Sequence, residues 1–277
     1  MIAFIAAAGF ALSTATPLQT SASDRLVDAA GVKLHIHCDG VRAARAPVVV
    51  FEAGAGNSAR TWNDVFAPIA QFARVCAYDR QGLGSSERTP KPQSFGEVVE
   101  TLHALLLAAD ERPPIVMAGH SYGGALIRLY ASRYPSEVTG LVLIDSSHED
   151  QLRRFAGLPA PPPPPAPAAM SASPGLPAPV VQQRTETIDL PGMEREMTDN
   201  AWRANIPLVV LTRTPPADPH EDPRDQIWQE LQRELATRSP QGEQIVAKKS
   251  GHYIQNDEPP LVIDAVRRVV AKATKPS

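Results

Sequence analysis

Cysteine is nearly absent from this chain, with two in 277 residues, Cys38 and Cys76. A scaffold stapled by several disulfides and a zinc site built on several thiolates are therefore excluded. Both cysteines lie in strand-like runs, Val32 to Cys38 and Arg74 to Tyr78, which leaves one disulfide or two buried thiols equally open. Positive charge is not in excess either: 27 Lys and Arg stand against 30 Asp and Glu, a net charge of −3. Such a chain offers no basic field to nucleic acid, and no nucleic-acid partner is expected. Long apolar runs are also missing. Ile2 to Leu12 is apolar but too short to span a bilayer as a helix of ~20 residues, so no stable membrane anchor is expected. His35 and His37 sit at alternate strand positions on one sheet face, and no metal or organic cofactor is implied.

What is present at the start resembles an export signal. The apolar, Ala-rich run is followed by small residues, with Ser13-Thr14-Ala15 or Thr20-Ser21-Ala22 as cleavage sites, although no Lys or Arg precedes it. Residues 1–22 are therefore expected to be a signal peptide, and the protein to be secreted or periplasmic. The remaining 23–277 are long enough to bury one substantial core.

Along that remainder, short apolar runs alternate with helical patterns. Strands are expected in a hairpin around Ala30-Gly31, then at Val48 to Glu52, Arg74 to Tyr78, Pro114 to Ala118, Gly140 to Ile144, Leu208 to Thr212 and Gln244 to Ala247. Helices are expected over Thr61 to Gln71, Phe95 to about Asp110, Gly123 to Tyr134, Asp225 to Arg238 and Pro260 to Ala273. The alternation predicts an α/β fold with a mostly parallel sheet. An insertion from about Ser147 to Asn205 interrupts it. From Pro159 to Pro179, ten of 21 residues are proline, which removes backbone donors and favours an extended surface spacer.

One corner of the alternation carries chemistry. Gly119-His120-Ser121-Tyr122-Gly123 fits the G-x-S-x-G elbow, with a strand before it and a helix after it. A turn that sharp pushes the serine outward and demands small neighbours. Ser121 is thus the candidate nucleophile, and the backbone N–H of Tyr122, opening the helix, faces a developing oxyanion. From about Val27 to Ala271 the chain resembles the α/β-hydrolase superfamily. The resemblance implies a central sheet of about eight strands with helices on both faces, and a small Pro-rich insertion (147–205) after the sixth strand.

It also assigns further roles. Glu52-Ala-Gly-Ala-Gly-Asn57 matches the loop that supplies the second oxyanion donor, with Ala53-Gly54 where the family usually has His-Gly, so the N–H of Ala55 is the implied donor. Tyr78 to Ser85 matches a tight Gly turn, in which Asp79 and Arg80 are expected to pair locally. His252, after the last strand, stands where the family carries its base, and imidazole titrates near neutrality; His148 and His220 are weaker candidates. The acid has two candidates. Asp218 lies after the seventh strand, the usual place, but without the usual Gly-x-x-Asp form. Asp145 ends the sixth strand, where some superfamily members keep their acid, and is preferred. The sheet order implied by the resemblance also puts Cys38 and Cys76 on neighbouring strands.

The leading expectation is a serine hydrolase acting on a small-molecule ester or related acyl substrate through Ser121, His252 and Asp145. A serine nucleophile argues against epoxide hydrolase and dehalogenase chemistry, which use Asp in this fold. One rival is an aminopeptidase resembling proline iminopeptidases, with Glu186, Asp189, Glu194 and Glu196 as acids for a free amine. Another is a non-catalytic binding protein on the same fold. The sequence gives no reading of oligomeric state.

Overall fold

Eight strands form one sheet in the order β1-β2-β4-β3-β5-β6-β7-β8. The computed structural model describes residues 22–88, 93–159, 186, 188–199, 202–215 and 222–274. The expected leader up to residue 21, most of the proline run, Asp218 and His220 lie outside these.

In chain order the elements are β1 (Ser23–Ala29), β2 (Val32–Asp39), β3 (Val48–Glu52), a 3-10 turn (Ala59–Trp62), α1 (Asn63–Ala70), β4 (Val75–Tyr78), α2 (Phe95–Ala108), β5 (Ile115–His120) and α3 (Tyr122–Arg133). There follow β6 (Val138–Ile144), α4 (Gln151–Phe155), α5 (Leu190–Asp199), β7 (Leu208–Thr212), α6 (Pro223–Ala236), β8 (Gly242–Val246), α7 (Ile254–Asp257) and α8 (Pro259–Ala273). Pairs β1–β2 and β2–β4 are antiparallel and the other pairs parallel. The expected strands and principal helices form within a few residues of their predicted limits; α4, α5 and α7 are short elements that the pattern did not announce.

Local chemistry explains the ends. Ser94 accepts from the Glu97 amide while Glu97 accepts from the Ser94 amide, a reciprocal cap that starts α2. Asp222 caps α6 with Pro223 in its first turn, where a missing N–H costs nothing. Continuous apolar runs make β3, β5 and β7 buried along their whole length, as parallel strands covered on both faces require. One face packs under α2 and α3 through Leu102, Leu106, Leu126 and Tyr130. The other packs under α1 and α8 through Phe51, Ile69, Val262 and Val266. Cys38 and Cys76 face each other in the β2–β4 ladder and form a disulfide, with Cα atoms 4.1 Å apart. Glu111 brings a carboxylate within 4.8 Å of the two sulfurs, but the disulfide leaves no thiolate for a metal. Among the described residues, no helix is long and apolar enough to cross a membrane.

Candidate active site

Strand β5 runs directly into α3, and Ser121 is the one residue between them. Its backbone is bent to φ 53°, ψ −121°, a conformation that costs about 1–3 kcal/mol for a residue with a Cβ. The surroundings hold it there. The Ser121 N–H donates to the Ile144 carbonyl at 3.0 Å, and its own carbonyl accepts from Gly124 and Ser147 at 2.9 Å. The flanking glycines are steric necessities. A Cβ at Gly123 would lie 2.3 Å from the Glu52 carbonyl oxygen, and one at Gly119 2.6 Å from that of Gly123.

Asp145 follows β6 directly, also at positive φ (42°), and its side chain is completely buried. His252, in the loop before α7, is brought to it: Nδ1 lies 2.6 Å from Oδ2 of Asp145. The carboxylate accepts three further bonds, from Trp228 Nε1 at 2.8 Å, the Arg213 amide at 3.1 Å and Arg213 Nη1 at 3.3 Å. Burial by itself pushes this carboxyl up, but the His252 bond, the Arg213 charge and the Trp228 bond outweigh it. Asp145 therefore stays below its ordinary value and is ionised near neutrality. A carboxylate on Nδ1 fixes the tautomer that leaves Nε2 of His252 as the free base.

His120, the residue before the elbow serine, backs this arrangement. Its Nε2 donates to the His252 carbonyl at 2.8 Å, and the two rings lie 4.6 Å apart. Burial, then the neighbouring His252, pushes His120 down to about 4, so it stays neutral and adds no competing charge.

The N–H of Tyr122 opens α3 at the elbow. The loop with the second expected donor runs from β3 through Ala55, and Arg80 holds it. Its Nη1 donates to the Ala53 carbonyl and to Glu52 Oε1, both at 2.6 Å, and its Nη2 to the Gly54 carbonyl at 2.7 Å. This corrects the expected local Asp79–Arg80 pair. Arg80 pairs with Glu52 and Glu186, whereas Asp79 accepts from the Ala59 and Ser85 amides and meets His35 at 3.0 Å. The reason is direction, since adjacent side chains at a strand end point apart. Tyr78 completes the group by donating to Glu52 at 2.5 Å.

Three acids of the insertion are engaged internally. Glu186 binds Arg80 and the Gly56 amide, Asp189 accepts from Gly192, and Glu196 binds Arg133 and the Gly96 amide. His148 is fully buried, with Nδ1 accepting from the Asp150 amide at 3.0 Å.

Sequence reasoning missed His120 as a support, and missed Trp228 and Arg213 as partners of the acid. His120 had a visible signal in its place beside the elbow serine. Trp228, on α6, had none, because only the packing of α6 beside β7 brings it to Asp145.

With that geometry in view, the comparisons with known proteins bear on family and on fold. A family model described as the alpha/beta hydrolase family matches residues 49–265. The uncharacterized protein YqjL of Bacillus subtilis is 28% identical over 222 residues, covering 77% of this chain and 79% of that one. Among solved structures, a thermophilic esterase from Thermogutta terrifontis superposes with a TM-score of 0.62 at 19% identity, covering 92% of this chain and 100% of that one. The carboxylesterase CesB from Bacillus subtilis gives 0.60 at 16% identity, covering 91% and 92%. At such identities the two structures speak to fold alone. With more than half its length matched by the family model, this chain belongs to the alpha/beta hydrolase family.

Proposed function

We propose that the protein is a serine hydrolase that cleaves a carboxylic ester or related acyl bond of a small-molecule substrate. The Oγ of Ser121 attacks the carbonyl carbon and passes its proton to Nε2 of His252. The N–H groups of Ala55 and Tyr122 receive the oxyanion. Collapse of the tetrahedral adduct expels the alcohol, which takes the proton back from His252 and leaves an acyl-Ser121. Water then repeats the sequence and releases the acid. The observation that carries this reading is the 2.6 Å bond from His252 to the buried Asp145, joined to a strained serine at the strand–helix elbow. An esterase and a carboxylesterase share this fold, so ester chemistry is one the fold accommodates. The aminopeptidase reading is disfavoured for Glu186 and Glu196, whose carboxylates are paired with Arg80 and Arg133.

The test pairs labelling with turnover. A fluorophosphonate should modify Ser121, and p-nitrophenyl esters should be hydrolysed in preference to amino-acid p-nitroanilides. Ser121→Ala should lose about 10⁴-fold or more in kcat with an unchanged melting temperature. Near wild-type turnover in purified Ser121→Ala would end the reading, and an unlabelled, inert wild type would favour a binding protein.

Export belongs to the same proposal. The apolar leader pattern and the Cys38–Cys76 disulfide both suit an oxidising compartment. Mass spectrometry of the secreted protein should find an N-terminus near residue 23; an intact Met1 in the cell interior argues against it.

A further inference from the structure

We propose that Arg80 is a positioning residue that aims the oxyanion donor of Ala55, and that Glu186 of the insertion holds it in place. This rests on the reading of Ser121 as nucleophile and Ala55 as donor. In a trans peptide the carbonyl and the next N–H lie in one plane and point in opposite directions. Fixing the Gly54 carbonyl therefore fixes the direction of the Ala55 N–H. Arg80 Nη2 holds that carbonyl at 2.7 Å, and Nη1 holds the preceding one, of Ala53, at 2.6 Å. On the other side, the Gly56 N–H donates to Glu186 at 2.6 Å. Three consecutive peptides are thus held from outside the site, by one guanidinium and one carboxylate.

No side chain in the loop does this work. A Cβ at Gly54 would lie 2.7 Å from Nδ1 of His120, so the turn is confined to glycine there, and glycine by itself leaves the peptide free to rotate. The guanidinium in turn is oriented from two sides, by Glu52 and Glu186, with its side chain only 3% exposed. A planar fork is needed, since a lysine ammonium of shorter reach does not satisfy two carbonyls and two carboxylates at once.

The test uses Arg80→Lys and Glu186→Gln in the full chain, with folding checked by near-UV circular dichroism. Removing a whole oxyanion donor costs about 10²–10³-fold in kcat; a misaimed donor should cost about 10–10²-fold in Arg80→Lys and about 3–10-fold in Glu186→Gln. KM should stay within about 2-fold. Affinity for a trifluoromethyl ketone, which adds Ser121 and leaves an oxyanion, should fall by the same factor as kcat/KM. Binding of the alcohol product, which carries no oxyanion, should not change. Should Arg80→Lys fail to fold, Glu186→Gln decides, because it leaves Arg80 paired with Glu52. Unchanged kcat and ketone affinity in folded variants overturn the positioning role, as does an equal loss of ketone and alcohol binding. Fluorophosphonate labelling of wild-type Ser121 separates the two levels. With labelling intact, unchanged variants overturn the role of Arg80 alone; without it, the serine mechanism falls as well.

Discussion

Arg213 reaches from the end of β7 back to Asp145, its amide N–H 3.1 Å from Oδ1 and its Nη1 3.3 Å from Oδ2. The stretch that carries the acid in most members of the family here supplies a cation to an acid on the neighbouring strand. Asp225 takes the other end of the guanidinium at 2.5 Å, which limits how far Arg213 competes with His252 for the carboxylate.

The first prediction follows from that relationship. Asp145→Asn keeps the shape but offers His252 the wrong partner, and a loss of up to ~10⁴-fold in kcat is expected. Asp218→Asn should cost no more than a few-fold. Steady-state kinetics on both purified variants, with melting temperatures, checks the ranking. The reverse order would move the acid to the loop after β7.

Crowding at the elbow predicts an asymmetry between glycines. Gly123→Ala forces a Cβ to 2.3 Å from the Glu52 carbonyl oxygen and 2.5 Å from that of Ala53. Backbone must move, and a destabilisation of about 1–3 kcal/mol is expected, with lost activity as the Tyr122 N–H shifts. At Gly251 the nearest atom is Asp257 Oδ2 at 3.9 Å, so Gly251→Ala should stay within about 0.5 kcal/mol. Urea unfolding of the pair measures both; equal stabilities would refute the steric account.

The disulfide closes a separation of 38 residues, for which lost chain entropy stabilises by about 3–4 kcal/mol. Reductant should lower the melting temperature of the wild type and leave a Cys38→Ala/Cys76→Ala double variant unaffected. Finding two alkylatable thiols in the unreduced, exported protein would remove the bond.

Acid should destabilise the fold through two buried histidines. Burial pushes His120 and His148 down to about 4, from an ordinary value of 6.5. Between those values the unfolded chain binds protons that the folded chain refuses, so stability is full above pH 6.5 and is lost as pH falls toward 4. Each histidine contributes a loss of up to about 3 kcal/mol. Glu149 at 3.6 Å and Glu234 at 3.8 Å face the His148 ring, while Arg128 and Arg238 oppose its charging. His148→Gln keeps an acceptor for the Asp150 amide and removes the titration. Its unfolding free energy should fall less between pH 7 and pH 4.5 than that of the wild type; an identical fall would refute the assignment.

The sequence by itself determined the alternation of strands and helices and the elbow at Ser121. Those features are local. Periodicity, capping residues and steric tolerance are written within a few positions, so the run from Ile115 to Tyr130 announces a strand, a sharp corner and a helix without reference to the rest of the chain. Tertiary structure alone decided the partners. Trp228 and Arg213 meet Asp145 because β6 and β7 are neighbours and α6 packs against β7. Arg80 passes over Asp79 to reach Glu52 on β3 and Glu186 on the insertion, 106 positions away. Residue type does not encode those pairings. A buried charge takes whichever counter-charge and carbonyls the packed backbone brings within reach, and that choice exists only once the sheet has assembled.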